Sequence, residues 1–285
     1  MGRVNCSKLI YKFTKLTLLV WIIYNILSIS KISTFTTENL QPLIATQNKI
    51  HSVTLVIAHP DDEVMFFAPT LLNLDAALSR DIPFNIVCYS DGDAEGLGAT
   101  RAVELQNSIK LLLSQRTTNT TILDHKDGMH EVWDTAKMLH QLNEVISTPP
   151  PKGEQNIVLT FDKDGVSNHI NHKKCFEVAS QYYSNNKKST LLLTLNSYHN
   201  NILLKYSSFG WECLKLLNKL YNPFVSKDIS PFLKTSHITI FSTYPQYILS
   251  LASMLNAHKS QMVWYRYFWW VLSRFVFVND IKIVN

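Results

Sequence analysis

The run Val53-Thr54-Leu55-Val56-Ile57-Ala58 is apolar and largely β-branched, and it ends abruptly at His59-Pro60-Asp61-Asp62-Glu63. A short apolar run of this kind fits a buried strand that emerges into a loop. Similar runs recur at 84–90, 119–124, 156–161 and 190–196. Between them, 64–80, 98–115, 132–147 and 171–185 have the spacing and length of helices. That alternation predicts a βαβ series and hence an α/β, Rossmann-like fold, a mostly parallel sheet flanked by helices. Ser147-Thr148-Pro149-Pro150-Pro151-Lys152-Gly153 reads as a helix stop and loop, and no internal repeat interrupts the pattern.

Pro60 fixes its own φ and keeps His59 out of the helical region, so the first strand must end there. In open α/β sheets, ligands bind at that edge. His59 and Asp62, three apart across the turn, are candidate metal ligands. The best candidate for a third is His172, at the end of Phe161-Asp162-Lys163-Asp164-Gly165-Val166-Ser167-Asn168-His169-Ile170-Asn171-His172. Two histidines and one carboxylate, with a position left open for water, fit a catalytic zinc. Asp61 then serves as general base toward water whose pKa the metal lowers to about 7. His169 lies one helical turn before His172 and stands beside the reacting carbonyl. As an imidazolium it would stabilise the oxyanion and protonate the leaving nitrogen. The set fits metal-assisted amide hydrolysis and contains nothing like a Ser-His-Asp arrangement. Glu63 reads as an acid in a first helical turn, favoured by the helix dipole. Two alternatives use the same residue types. One is a non-haem iron oxygenase, which has no use for Asp61. The other is a membrane-anchored sugar-lipid binding module with a vestigial site.

These two blocks resemble the signatures of the LmbE/PIG-L zinc deacetylases, most closely the eukaryotic branch of that family. The stretch Ser90-Asp91-Gly92-Asp93-Ala94-Glu95-Gly96-Leu97-Gly98, with Arg101 and Glu104, and the Asp127-Gly128 turn support the likeness, which is strong over residues 50–200. The resemblance implies removal of the N-acetyl group from N-acetylglucosaminyl-phosphatidylinositol, giving acetate and glucosaminyl-phosphatidylinositol, the second step of glycosylphosphatidylinositol anchor synthesis; a zinc deacetylase of another N-acetylated sugar is the alternative. By family roles His59, Asp62 and His172 hold Zn2+ or another divalent metal, Asp61 is the base and His169 its electrophilic partner. Arg101 is assigned to the inositol phosphate or sugar hydroxyls, and the amides of the Asp91–Gly98 loop are candidates for a phosphate. In one departure, Ser167 stands where some bacterial relatives carry a tyrosine.

Hydrophobic residues make up 46% of the 285 and charged residues 17%, which is apolar for a soluble enzyme. The net charge of +5 comes without a clustered Lys/Arg run. It speaks against nucleic acid and for anionic lipid headgroups. Cys6, Cys88, Cys175 and Cys213 show no paired spacing, which excludes a cysteine zinc cage and suits a reducing compartment. Residues 1–32 are expected to form an N-terminal membrane anchor, since the apolar stretch Leu16 to Ile32 is close to the low end of the ~17–25 residues a span needs. Residues 33–50 are expected to be a polar linker, and 51–285 the deacetylase domain, with 198–285 a membrane-associating extension. Within that extension, 264–278 is aromatic throughout, broken by Arg266 and Arg274, and suits a membrane interface. The stretch 203–221 suits an amphipathic helix doing the same. Ordinary core packing is the alternative for both. Basic residues before the anchor would send the domain into the lumen, where the sequon Asn119-Thr120-Thr121 would carry a glycan. The resemblance implies the opposite, the endoplasmic reticulum membrane with the catalytic domain on its cytoplasmic face, and that is the expectation adopted. Sequence alone sets neither the oligomeric state nor protein partners.

Overall fold

The strands fall where the apolar runs place them: β1 (Lys49–Ile57), β2 (Phe84–Cys88), β3 (Thr118–Ile122), β4 (Glu154–Phe161) and β5 (Thr190–Leu195). In the computed structural model, which describes residues 6–44, 49–198, 201–221 and 237–284, these five are parallel. Two further strands, β6 (His237–Phe241) and β7 (Val278–Val284), extend the sheet antiparallel to give the order β3-β2-β1-β4-β5-β7-β6. The helices are α1 (Cys6–Ile44), α2 (Asp62–Met65), α3 (Ala68–Ala77), α4 (Gly98–Leu112), α5 (Thr135–Val145), α6 (Gly165–Asn168), α7 (Ile170–Asn185), α8 (Ile202–Tyr206), α9 (Phe209–Tyr221), α10 (Tyr244–Asn256) and α11 (Trp264–Leu272). Helices cover both faces of β1, so Val53, Leu55, Val56 and Ile57 are all buried, as the unbroken apolar run requires.

Strand order decides where a ligand can sit. From β1 the chain moves outward to β2 and β3, then returns to the other side of β1 for β4 and β5. The crevice opens where the two directions part, beyond the carboxyl ends of β1 and β4. His59 follows β1 and the block 162–172 follows β4, so both motifs meet at this point.

Residues 33–44, expected as linker, continue α1 and pack. Ile32, Thr36, Asn39, Leu40 and Leu43 are buried at helical spacing. The polar members explain why composition misleads here. Asn39 Nδ2 donates to Thr239 O at 2.8 Å, while Thr36 Oγ1 donates to Phe241 O and accepts from Phe241 N, each at 3.3 Å. Both side chains satisfy the open edge of β6, so the helix caps a sheet edge that would otherwise be free to pair. Residues 1–5 of the expected anchor and 45–48 of the expected linker lie outside the described residues. Among the described residues, no helix is long and apolar enough to cross a membrane.

The C-terminal stretches divide between the readings weighed for them. Residues 203–221 fall into α8 and α9, separated at Ser207-Ser208. Of 264–278, the first part is α11, where Trp264 is 75% and Phe268 56% exposed. The second part packs as core, with Phe275, Val276 and Val278 fully buried. Thus the described residues of 198–285 contribute two strands to the same sheet.

Two buried ionic contacts fasten this architecture. Arg116, its side chain wholly buried, donates to the carbonyls of Asp75, Leu78, Ser79 and Ile82 and to Asp75 Oδ1, closing the turn between α3 and β2. Glu63 Oε1 meets His258 Nε2 at 2.6 Å, both side chains fully buried, and ties α2 to the end of α10. Arg116→Ala should cost about 3–5 kcal/mol in urea denaturation, the range for breaking a buried pair. A cost near zero would mean the turn closes without it. Burial pushes His258 down, but the charge and hydrogen bond of Glu63 outweigh it, and its pKa is raised. The pair's stabilisation is therefore fully present below the unfolded value of about 6.5 and is lost as pH rises through the higher folded value. The denaturation midpoint should accordingly fall on going upward from neutral pH, and His258→Gln should flatten that fall. An equal slope in the variant would assign it to other groups.

Candidate active site

The turn after β1 is tightly specified. Asp61 has φ 124° and ψ −19°, a conformation an L-residue rarely adopts. Its backbone N–H donates to Glu63 Oε2 at 3.1 Å. Glu63 also accepts from Ser108 Oγ and binds His258, so it braces the turn from below rather than merely favouring the dipole. Asp62 Oδ2 accepts from Ala58 N at 3.0 Å and His59 N at 2.9 Å. Those bonds fix the carboxylate with Oδ1 3.3 Å from His172 Nε2. On the other side, α6 turns sharply through Gly165 (φ 53°) and Val166 (φ 27°) before His169 begins α7. A Cβ at Gly165 would lie 2.8 Å from that of His172, so glycine is required where this loop crosses the helix.

Three imidazoles converge here. The ring of His59 lies 4.9 Å from that of His169 and 5.4 Å from that of His172, which itself stacks on Phe161 at 4.1 Å. Carboxylates flank His59 on both sides: Nδ1 is 3.9 Å from Asp62 Oδ2, and Nε2 is 3.0 Å from Asp127 Oδ1. Burial would push His59 down, but the Asp127 hydrogen bond and the charges of Asp62, Asp127 and Asp61 raise it above its ordinary value. Burial likewise opposes ionisation of Asp62, yet His172 and His59 hold its carboxyl well below the usual range. His169 moves the other way. Burial, then the charges of His59 and His172, lower its pKa to about 4. Its Nδ1 accepts from Asn171 N at 3.2 Å, which puts the ring proton on Nε2. At neutral pH it is therefore a neutral Nε2–H donor, not the imidazolium expected from sequence. The sequence expectation took no account of the ring's burial or of the two imidazoles beside it, both of which favour the neutral form.

Arg101 lies on the wall of the cleft, with its guanidinium largely committed to the protein. It donates to Gly92 O at 2.8 Å, Pro60 O at 3.0 Å and Gln261 Oε1 at 3.0 Å, and reaches Asp127 at 3.4 Å. This ties four segments together and leaves little for a substrate. The Asp91–Gly98 loop is no phosphate cradle either. Gly98 N, the first amide of α4, donates to Asp93 Oδ1 at 2.7 Å, and Gly92 N donates to Ser90 Oγ. The cation that reaches Asp61 is Arg266 of α11, 2.7 Å from its Oδ2. Sequence reading noted it only as a charge breaking an aromatic run. Asp127 was seen only as part of a turn, and Asn171, whose Nδ2 lies 3.2 Å from His59 Nε2, was missed.

The donors fit a metal. His59, Asp62 and His172 each present one ligand atom within 4.8 Å of the others, and the buried His172 Nδ1 has no partner. Two imidazoles and one carboxylate, open on one side, form the donor set of a catalytic zinc. A second grouping, His59, Asp127 and His169, shares His59 with the first. The cleft above them, about 210 Å³, is lined also by Asp61, Met65, Phe66, Arg101 and Arg266. Such a site can hold a cation, an activated water and a small acyl group against one free carboxylate.

Comparison with known proteins agrees with this arrangement. Residues 54–183 match the family model described as PIG-L: GlcNAc-PI de-N-acetylase. The chain is 43% identical over 296 residues to the N-acetylglucosaminyl-phosphatidylinositol de-N-acetylase of Saccharomyces cerevisiae, covering 99% of this chain and 97% of that one. It is 29% identical over 233 residues to the Bos taurus protein of the same name, covering 80% and 81%. Among solved structures, the pseudoaglycone deacetylase Dbv21 shares the fold at a TM-score of 0.50 and 11% identity, over 82% of this chain and 97% of that one. With both motif blocks inside the matched stretch and a relative similar along nearly its whole length, this chain belongs to the PIG-L family of de-N-acetylases.

Proposed function

We propose that the chain hydrolyses the N-acetyl group of N-acetylglucosaminyl-phosphatidylinositol, releasing acetate and glucosaminyl-phosphatidylinositol in glycosylphosphatidylinositol anchor synthesis. The observation that carries this is Asp61, an unligated carboxylate beside a three-donor metal set, in a chain so similar to named de-N-acetylases. An iron oxygenase would leave Asp61 without a task.

His59, Asp62 and His172 would hold the ion, and Zn2+ suits their donor types; when bound it polarises the acetyl carbonyl and acidifies a water. Asp61 accepts the proton from that water as it attacks, and returns it to the departing amine nitrogen. His169 donates a hydrogen bond from its Nε2–H to the oxygen on which negative charge grows, a task a neutral imidazole performs while keeping its proton. Asp127 takes the hydrogen bond of His59, holding that ring in one orientation for the metal.

A lipid substrate also accounts for the exposed aromatic side of α11. In this reading Trp264, Tyr265, Tyr267 and Phe268 meet the bilayer, as do the exposed Leu203 and Trp211, with residues 1–32 as the anchor. We assign the enzyme to the cytoplasmic face of the endoplasmic reticulum membrane. The free thiols of Cys88 and Cys175 suit a reducing compartment. Asn119 is exposed on the edge of the sheet, its Nδ2 bonded to Asn85 Oδ1 at 3.1 Å, so its glycosylation state reports which side of the membrane the domain occupies.

Acetate release from the glycolipid by membranes carrying the chain should fall at least ~10²-fold with Asp61→Asn, the low end for loss of a general base, while bound zinc is unchanged. Activity unaffected by the substitution would discard Asp61 as the base. Chelation should abolish turnover, Zn2+ should restore it, and His172→Asn should lower zinc content as well as rate. Restoration only by Fe2+ and only in the presence of oxygen would overturn hydrolysis. The chain's mobility on a gel should not change with N-glycosidase; a shift that disappears in Asn119→Gln would put the domain in the lumen.

A further inference from the structure

The matched family stretch ends at residue 183, yet α11, some eighty residues later, sends a side chain into the site. Arg266 Nη2 lies 2.7 Å from Asp61 Oδ2, a contact spanning 205 residues. Both side chains are largely enclosed, at 18% and 7% exposure. Its neighbours Trp264, Tyr265, Tyr267 and Phe268 are each more than half exposed, so Arg266 is the residue of that turn that reaches inward. Among the described residues, it is the one hydrogen-bond donor to the Asp61 carboxylate, and it engages Oδ2.

We propose that Arg266 is a positioning residue of the deacetylase, anchoring the Asp61 carboxylate so that its free oxygen faces the water and not the metal. The proposal rests on the metal-hydrolase reading above. Asp61 sits on a strained turn immediately beside the ligand Asp62, and its own backbone bond to Glu63 fixes its main chain only. A carboxylate there, left alone next to a dication, would be drawn onto it and become a further ligand instead of a base. A buried guanidinium holding one oxygen opposes that pull and leaves the other open. Arg101, the other cation on the cleft wall, is occupied with Pro60, Gly92 and Gln261 and does not do this.

The test combines turnover with metal affinity in Arg266→Met, Arg266→Lys, Asp61→Asn and the double variant Asp61→Asn/Arg266→Met. Arg266→Met should lower kcat by about 10–100-fold, the scale of a misplaced catalytic group, with KM little changed, and Arg266→Lys should recover part of the loss. In the Asp61→Asn background the same substitution should cost nothing further, because it acts through Asp61. Zn2+ competition against a chromophoric chelator gives a readout that needs no substrate. Removing a cation and freeing a carboxylate beside the site should tighten zinc binding several-fold, whereas general damage to the site would loosen it. A raised KM at unchanged kcat would make Arg266 a substrate-anion contact and overturn the proposal. So would an additive double variant, or weaker zinc binding in Arg266→Met. If wild type fails on N-acetylglucosaminyl-phosphatidylinositol, the substrate reading falls by itself, and the zinc titration still decides for or against Arg266.

Discussion

One buried carboxylate holds the working parts of this molecule in register. Glu63, with no exposed surface, takes the backbone N–H of Asp61, the hydroxyl of Ser108 on α4 and the imidazole of His258 just beyond α10. A buried charge is stable only when its partners are complete. The turn after β1, α4 and the C-terminal helices must therefore come together for any of them to be satisfied. Glu104 repeats the connection one turn earlier on α4, accepting from Ser260 N and Oγ. The strained Asp61 conformation persists because these neighbours over-determine it.

That scaffold creates an electrostatic problem which the site then uses. Three imidazoles are crowded at the sheet's switch point, and they cannot all be protonated. Asp62 and Asp127 stand on opposite sides of His59 and favour its charge, while burial and then the charges of His59 and His172 favour the neutral form of His169. A dication among these rings would favour the neutral form of each of them. The N-cap position of His169 fixes which nitrogen keeps the proton. In the proposed mechanism that ring would be a donor that need not be reprotonated in each cycle.

Much of this was legible in the residues, for a definite reason. The strand at 53–58, the helix at 171–185 and both ligand blocks depend on local periodicity and on chain-breaking residues such as Pro60, and the structure puts them where the pattern does. What was illegible depends on contacts between distant segments. Thr36 and Asn39 look like linker residues until β6 offers them its backbone. Glu63 looks like a helix-dipole acid until His258 arrives from nearly two hundred residues away. β7 was hidden because it begins at Val278, inside a run whose aromatics suggested a membrane surface, and its Asp280 and Lys282 blunt the strand pattern. The lowered pKa of His169 could not be read from spacing, since it follows from burial and from rings that only the fold brings near.

These distant contacts share a direction. Gln261 accepts from Arg101, His258 completes Glu63, and Arg266 holds Asp61, so the segment after β6 closes the site that the residues after β1 and β4 begin. The same segment carries the exposed aromatic side of α11. Because Arg266 and those aromatics share one short helix, any force that rotates or shifts α11 is transmitted to the Asp61 carboxylate through a single rigid turn. A misplacement of about 1 Å is enough to cost a catalytic group much of its effect. The exposed aromatic side of α11 and the guanidinium that holds Asp61 thus belong to one short helix, and the position of the Asp61 carboxylate depends on how that helix is seated.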